Sequence, residues 1–304
     1  MGRIVVRRIA VKRIAVGRSA PTNKALKRNA LKSVSYACAA SLVALWMGPG
    51  VMAVPASAAA PWRASADGAA FGAQPSGASQ SVDLAIFPCP VPGPDGKGSK
   101  AIATLGEFRS SDGRDRDDTT RVEVCYDATA LRVRVDARGD RFATNSYRGC
   151  NASHWKQTVF EVFVALGDER PAAYYEIEVS PAGELFVARI HNPTGRAIAS
   201  TDLIDCAASG VTARDVASVA AEQRWSASLS IPWTLLRGPG AGALIQAGPP
   251  RTLRANFYRI RRGSGDADCG AAKEPCTYLA WRPTFVSPPA FHMTPYFGRI
   301  ELLP

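Results

Sequence analysis

The sequence predicts an all-β fold: a single β-sandwich behind a cleavable N-terminal leader. Three observations predict it. From Ser81 onward, apolar and polar residues alternate over many short runs, the period-two pattern of half-buried strands. Turn residues such as Ser180-Pro-Ala-Gly183 separate the runs. No long amphipathic helix interrupts them, and the only helix-like stretch is a weak one around 212–222. Many short strands without long helices pack as two sheets.

The leader accounts for residues 1–60. Residues 1–34 carry ten lysines and arginines and no acid. An apolar, alanine-rich run follows from Tyr36 to about Val54 and ends in Pro55-Ala-Ser-Ala58-Ala-Ala60. A basic region, an apolar region and a small-residue site make a secretory signal. Gly48, Pro49 and Gly50 break the apolar run, so no stable membrane span is expected in the mature chain. Cys38 precedes the apolar run and is therefore not a lipoprotein cysteine. Residues 61–80 are rich in Ala, Gly, Ser, Pro and Gln, the composition of a flexible linker. Residues 81–304 form the folded domain.

The leader also carries the charge. The whole chain has 37 basic and 26 acidic residues, net +11. With ten basic residues in the leader, 27 face 26 acids, about +1. The basic balance belongs to export and predicts no nucleic-acid partner. Six cysteines remain: Cys89, Cys125, Cys150, Cys206, Cys269 and Cys276. An even count in an exported chain favours disulfides, with fifteen pairings open. Cys269 and Cys276 bracket a short loop and suit a local bridge. No CxxC occurs and the three histidines are scattered, so no structural zinc site is expected.

Strands follow in order. Val122, Val124 and Tyr126 share a face, as do Leu131, Val133 and Val135, with Asp127-Ala-Thr-Ala as the turn between them. Further strands read at 157–165, 173–179 and 184–190. Trp225, Ala227, Leu229 and Ile231 then alternate, and 252–262 and 297–303 complete the set. Trp225 and Trp233 read as core residues.

One strand carries an anomaly. In HWKQTVFEVFV (154–164), Glu161 shares a face with Val159 and Phe163. A carboxylate on a buried face is costly without a partner. Six residues earlier stands Trp155, at the junction of a polar loop and the strand. An aromatic plate beside a fixed carboxylate suits a sugar ring: the indole packs on pyranose C–H faces and charged groups bond the hydroxyls. The structural alternatives are that Trp155 closes the core and that Glu161 pairs with Arg259 or Arg189. Arg259 shares a face with Leu253, Ala255 and Phe257 and needs an acid or a ligand there. Trp281, after the Cys269–Cys276 loop, is a candidate second plate or an edge cap.

Several ordered segments together resemble a known family. They are VCYDATALRVRVDARGD (124–140), WKQTVFEVFV (155–164), YYEIEVSPAGELF (174–186), WSASLSIPWTLL (225–236), LRANFYRIRR (253–262), LAWRPT (279–284) and FHMTPYFGRIELL (291–303). Their succession resembles carbohydrate-binding module family 9, within the wider DOMON-like β-sandwiches. The resemblance implies a jelly-roll-like sandwich that binds mono-, oligo- or polysaccharide ends without cleaving them. It implies Trp155 and Trp281 as plates, Glu161 as the carboxylate, and Arg259 near a position where the family places glutamine. Glu176 and Glu178 stand where the family offers arginine and asparagine, which makes the site more acidic. No catalytic residue is expected, although Glu161 with Glu176 or Glu178 is a conceivable hydrolytic pair.

Two cofactor alternatives and a sequon complete the reading. Haem through His292 or Met293, with His154 or His191, is the alternative function; adjacent residues on a strand face opposite ways, which disfavours His292 and Met293 as joint ligands. A sandwich whose sugar site has degenerated into an interaction module is the other. Asp136, Asp140, Asp266 and Asp268 offer oxygen to calcium, but no EF-hand spacing occurs and no cofactor is expected. Asn151-Ala-Ser153 is a glycosylation sequon that would place a glycan against Trp155.

Overall fold

The computed structural model describes residues 81–90, 102–238, 248–265, 267–270 and 276–304. The predicted leader and linker lie outside the described residues. In chain order the strands are β1 (Leu84–Ile86), β2 (Ala103–Thr104), β3 (Phe108–Ser110), β4 (Arg116–Asp117), β5 (Thr120–Tyr126), β6 (Ala130–Ala137), β7 (Val159–Leu166) and β8 (Ala173–Val179). They continue with β9 (Leu185–His191), β10 (Ser200–Leu203), β11 (Thr212–Val219), β12 (Arg224–Pro232), β13 (Thr252–Arg261), β14 (Thr277–Ala280) and β15 (Gly298–Leu302). Two short helices intervene, α1 (Cys206–Ser209) and α2 (Trp233–Arg237). None of the described helices is long and apolar enough to cross a membrane.

The strands form two sheets. The larger runs β10-β9-β8-β7-β13-β14-β3-β4, with β15 also against β13 and β1 against β15. The smaller runs β11-β12-β6-β5-β2. Alternation explains how they face one another. Val122, Val124, Leu131, Val133, Val135, Trp225, Ala227 and Leu229 of the small sheet meet Phe160, Val162, Val164, Ile177, Val187, Leu253, Ala255 and Phe257 of the large one in the main core. The predicted turns are present: Asp127 accepts from the N–H groups of Thr129 (2.7 Å) and Ala130 (3.0 Å). Gly183, at φ +81°, donates to the Ser180 carbonyl at 2.9 Å.

A second apolar layer lies on the outer face of the large sheet. Val159, Phe163, Tyr174, Phe186, Ile190, Tyr258 and Ile260 lie there under Phe291 and Phe297. Strands β7, β8 and β13 are therefore buried on both faces, which is why their sequences lack clean alternation. One expectation is largely overturned: of the helix-like stretch 212–222 only Ala220–Glu222 turns, as a single 3-10 turn. Residues 212–219 form the edge strand β11, mostly exposed and paired only with β12. Pairing with β12 overrides the weak local preference. Three disulfides resolve the pairing: Cys89–Cys125, Cys150–Cys206 and Cys269–Cys276.

Candidate functional site

Register assembles the site on the outer face of the large sheet. Glu161 of β7 lies directly opposite Glu178 of β8 and Tyr258 of β13, and Glu178 lies opposite Phe186 of β9. One row along, Glu176 stands between Phe163 and Ala188. Three carboxyl groups thus share one face across two neighbouring strands. Tyr278 of β14, opposite Ile260, borders the same region and feels the charge of Glu161.

Trp155 stands at the rim. It lies in a single 3-10 turn, His154–Lys156, that ends just before β7. The indole is 39% exposed and meets the Phe186 ring edge to face, centroids 5.2 Å apart. Polar side chains fix this turn. Asn145 Nδ2 donates to the carbonyls of His154 (2.9 Å) and Thr158 (3.0 Å). Gln157 Oε1 accepts from Ser146 N–H (2.8 Å) and Arg262 Nη1 (3.0 Å). The backbone N–H of Cys269 donates to the Lys156 carbonyl at 2.7 Å. The preceding loop is tied down by Cys150–Cys206 and by Asn151, whose Nδ2 donates to the Ile204 carbonyl (2.9 Å) and whose Oδ1 accepts from Val187 N–H (2.8 Å). The sequon amide is thus engaged inside the fold, which argues against a glycan at Asn151.

Among the described residues, the carboxyl groups are buried without counter-ions. Glu161 is 2% exposed and Glu178 fully buried. Glu161 Oε1 and both oxygens of Glu178 meet no donor in hydrogen-bonding geometry. Burial holds both groups well above the ordinary carboxylate range, and their mutual repulsion and that of Glu176 add to it. The nearby backbone N–H of Trp155 opposes the rise at Glu178. Burial pushes Glu176 up to about 7, opposed by a side-chain hydrogen bond with Glu178 that in turn holds the Glu178 proton. Among the described residues, no arginine or lysine contributes to the shifts of these three groups.

Arg259 and Trp281 are not part of this cluster. Both lie one residue out of phase with it and face the opposite side of the sheet. Arg259 is fully buried between the sheets, 2.8 Å from Asp140, and donates to Thr120 Oγ1 and the Arg138 carbonyl, each at 2.7 Å. Asp140 also accepts from Trp225 Nε1. Arg259 is therefore a structural ion pair, and Glu161 pairs neither with it nor with Arg189, which shares the inward face of β9 with Val187. Trp281 is 7% exposed and packs edge-on against Phe257, centroids 5.7 Å apart, within the main core. Gly298 allows this approach: a Cβ there would come within 2.5 Å of the indole. Tyr278, three residues before Trp281, is the aromatic that β14 presents outward. The alternation Thr277 to Ala280 carried that signal, since Leu279 takes the inward position.

The histidines lie in separate settings. His292 stacks on Phe163 with ring centroids 5.0 Å apart and shares a 2.6 Å hydrogen bond with the Tyr174 hydroxyl, so it is packed rather than facing solvent. Burial lowers its pKa to about 4. His154 contacts the Gly149 carbonyl and His191 contacts Asp202. Among the described residues, no group of three His, Cys, Asp or Glu side chains is placed to hold a metal ion. Asp136 is bound by Arg138 and Arg224, and Asp268 by Tyr147 and Gln157. A cavity of about 560 Å³ lies away from the carboxyl cluster, among Asp168, Arg170, Tyr175 and Arg189.

Two packed sheets, with a partly exposed indole at the rim of one outer face, define the class: an all-β sandwich. The chain belongs to carbohydrate-binding family 9, whose model matches residues 119–302, more than half of the sequence. An Arthroderma benhamiae protein named "Extracellular protein" is 25% identical over 191 residues, covering 60% of this chain and 77% of that relative. Two solved structures are also similar. One, a Bacteroides uniformis protein provisionally described as carbohydrate-binding, is 18% identical with a TM-score of 0.48, over 65% of this chain and 86% of that one. The other is a family 9 module from Caldicellulosiruptor kristjanssonii in complex with cellotriose. It is 11% identical with a TM-score of 0.38, over 72% of this chain and 92% of that one.

Proposed function

We propose that this protein binds carbohydrate without cleaving it, at the outer face of the large sheet. Trp155 stacks on the sugar ring, Tyr278 borders the opposite side, and Glu161, Glu176 and Glu178 bond the ring's polar groups. The observation that carries this reading is the exposed Trp155 indole standing on Phe186, next to buried carboxyl oxygens that have no donor. Such oxygens are costly to keep unless a ligand supplies hydrogens. Arg259 and Trp281 leave the proposed site and act in the core.

A non-catalytic role fits membership of carbohydrate-binding family 9. The chain is proposed to work outside the cytoplasm, periplasmic or extracellular, where three disulfides persist.

The test is titration of the purified protein with a panel of mono- and oligosaccharides, following tryptophan fluorescence and calorimetry. Binding is expected in the roughly micromolar to millimolar range, about −8 to −4 kcal/mol. Trp155→Ala should abolish it. A panel in which no sugar binds, or a Trp155→Ala variant that binds as tightly as the parent, would refute the reading.

A further inference from the structure

We propose that the sugar taken at this site carries a positive charge: an amino sugar, with its ammonium group seated among Glu161, Glu176 and Glu178. The inference rests on the sugar-binding reading and names the ligand class for the same residues.

Three carboxyl groups share one face, two of them more than nine-tenths buried with oxygens that meet no donor. Several other buried or partly buried acids are matched by arginine. Asp140 has Arg259, Asp136 has Arg138 and Arg224, and Asp127 has Arg132. Among the described residues no cation is aligned with them: their neighbours across the strands are Phe186, Tyr258, Phe163 and Ala188. A neutral sugar hydroxyl can donate one hydrogen bond, but it does little to favour the ionised form of a buried carboxyl group.

Two kinds of ligand can. A metal ion needs several acid oxygens converging on one point, and the described residues contain no such group. An ammonium group instead carries three N–H donors directed apart, so it can serve carboxyl groups on adjacent strands. It also favours the ionised form of each carboxyl group it meets. Trp155 supplies the remaining requirement. Its indole face accepts both the C–H face of a pyranose and a nearby cation, and its backbone N–H lies beside Glu178.

The experiment compares glucosamine, N-acetylglucosamine and glucose, with the matching chito- and cello-oligosaccharides, on the full chain at pH 6.5, where the free amine is protonated. Glucosamine and its oligomers should bind at least tenfold more tightly than the other two. Glu178→Gln should erase most of that preference, and Glu161→Gln serves the same purpose if the first variant melts early. Equal binding of glucose and glucosamine would overturn the charged-sugar proposal while leaving the sugar site standing. No response to any of the three would overturn both. Calcium chloride alone raising the melting temperature, with glucosamine inert, would also overturn it in favour of a metal.

Discussion

Replacing Glu176 by glutamine should stabilise the protein at pH 8 and leave it nearly unchanged at pH 4.5 or below. Glu176 lies 7% exposed beside Glu178, and burial raises it from 4.5 to about 7. Below pH 4.5 the folded and unfolded chains both hold the proton, so the group contributes nothing. Between 4.5 and 7 the folded chain binds more protons than the unfolded one, so stability falls as pH rises. Above 7 both states are ionised and the full cost of the buried charge is present. The shift of roughly 2.5 pH units converts to about 3 kcal/mol. Glutamine keeps the shape and removes the charge, so the variant should gain up to about 3 kcal/mol at pH 8. That corresponds to roughly 6–12 °C in melting temperature for a domain of this size. Urea denaturation followed by circular dichroism, with disulfides kept oxidised, measures this at pH 4.5 and 8. A gain of equal size at both pH values, or a loss at pH 8, would refute the electrostatic account of the cluster.

Other perturbations separate structural from binding roles. Asp140→Ala should cost about 3–5 kcal/mol in urea denaturation, because it strands the buried Arg259 guanidinium. Trp281→Ala should destabilise by about 3–5 kcal/mol through the cavity it leaves, while the folded fraction still binds sugar by calorimetry. Trp155→Ala, at a 39% exposed position, should do the reverse: binding lost, with under about 1 kcal/mol lost in stability. Converting Cys150 and Cys206 together to serine opens a bridge of sequence separation 56. It should cost about 4 kcal/mol by the loop-entropy model and weaken binding, since the bridge anchors the loop before Trp155; chemical denaturation and fluorescence titration read the two effects.

The parts of the fold that were legible obey local rules. β5, β6 and β12 each bury one face, so Val122, Leu131 and Trp225 announce themselves by alternation. The turns at Asp127 and Gly183 follow from local chemistry, since a side-chain acceptor and a left-handed glycine act within three residues. Short or exposed strands gave no such signal. β2 and β4 have two residues each, and the edge strand β11 buries almost nothing, so its sequence is free to look helical.

The candidate site divides on the same line. Trp155 and Glu161 are six residues apart, and their relation is local: a turn, then a strand that keeps Glu161 on one face. From the sequence alone this chain is a β-sandwich with an aromatic residue and a misplaced carboxylate at one strand. The partners of that pair come from strands a dozen to a hundred residues away. Register joins Glu178 to Glu161 and aims Arg259 and Trp281 at the core. A one-residue step along a strand reverses the side chain's face. Only the packed sheets fix that step, because it depends on which strands pair and where each pairing begins. The sequence by itself proposed the kind of site; tertiary structure decided which sheet face each candidate takes, and that among the described residues the three carboxyl groups have no counter-ion.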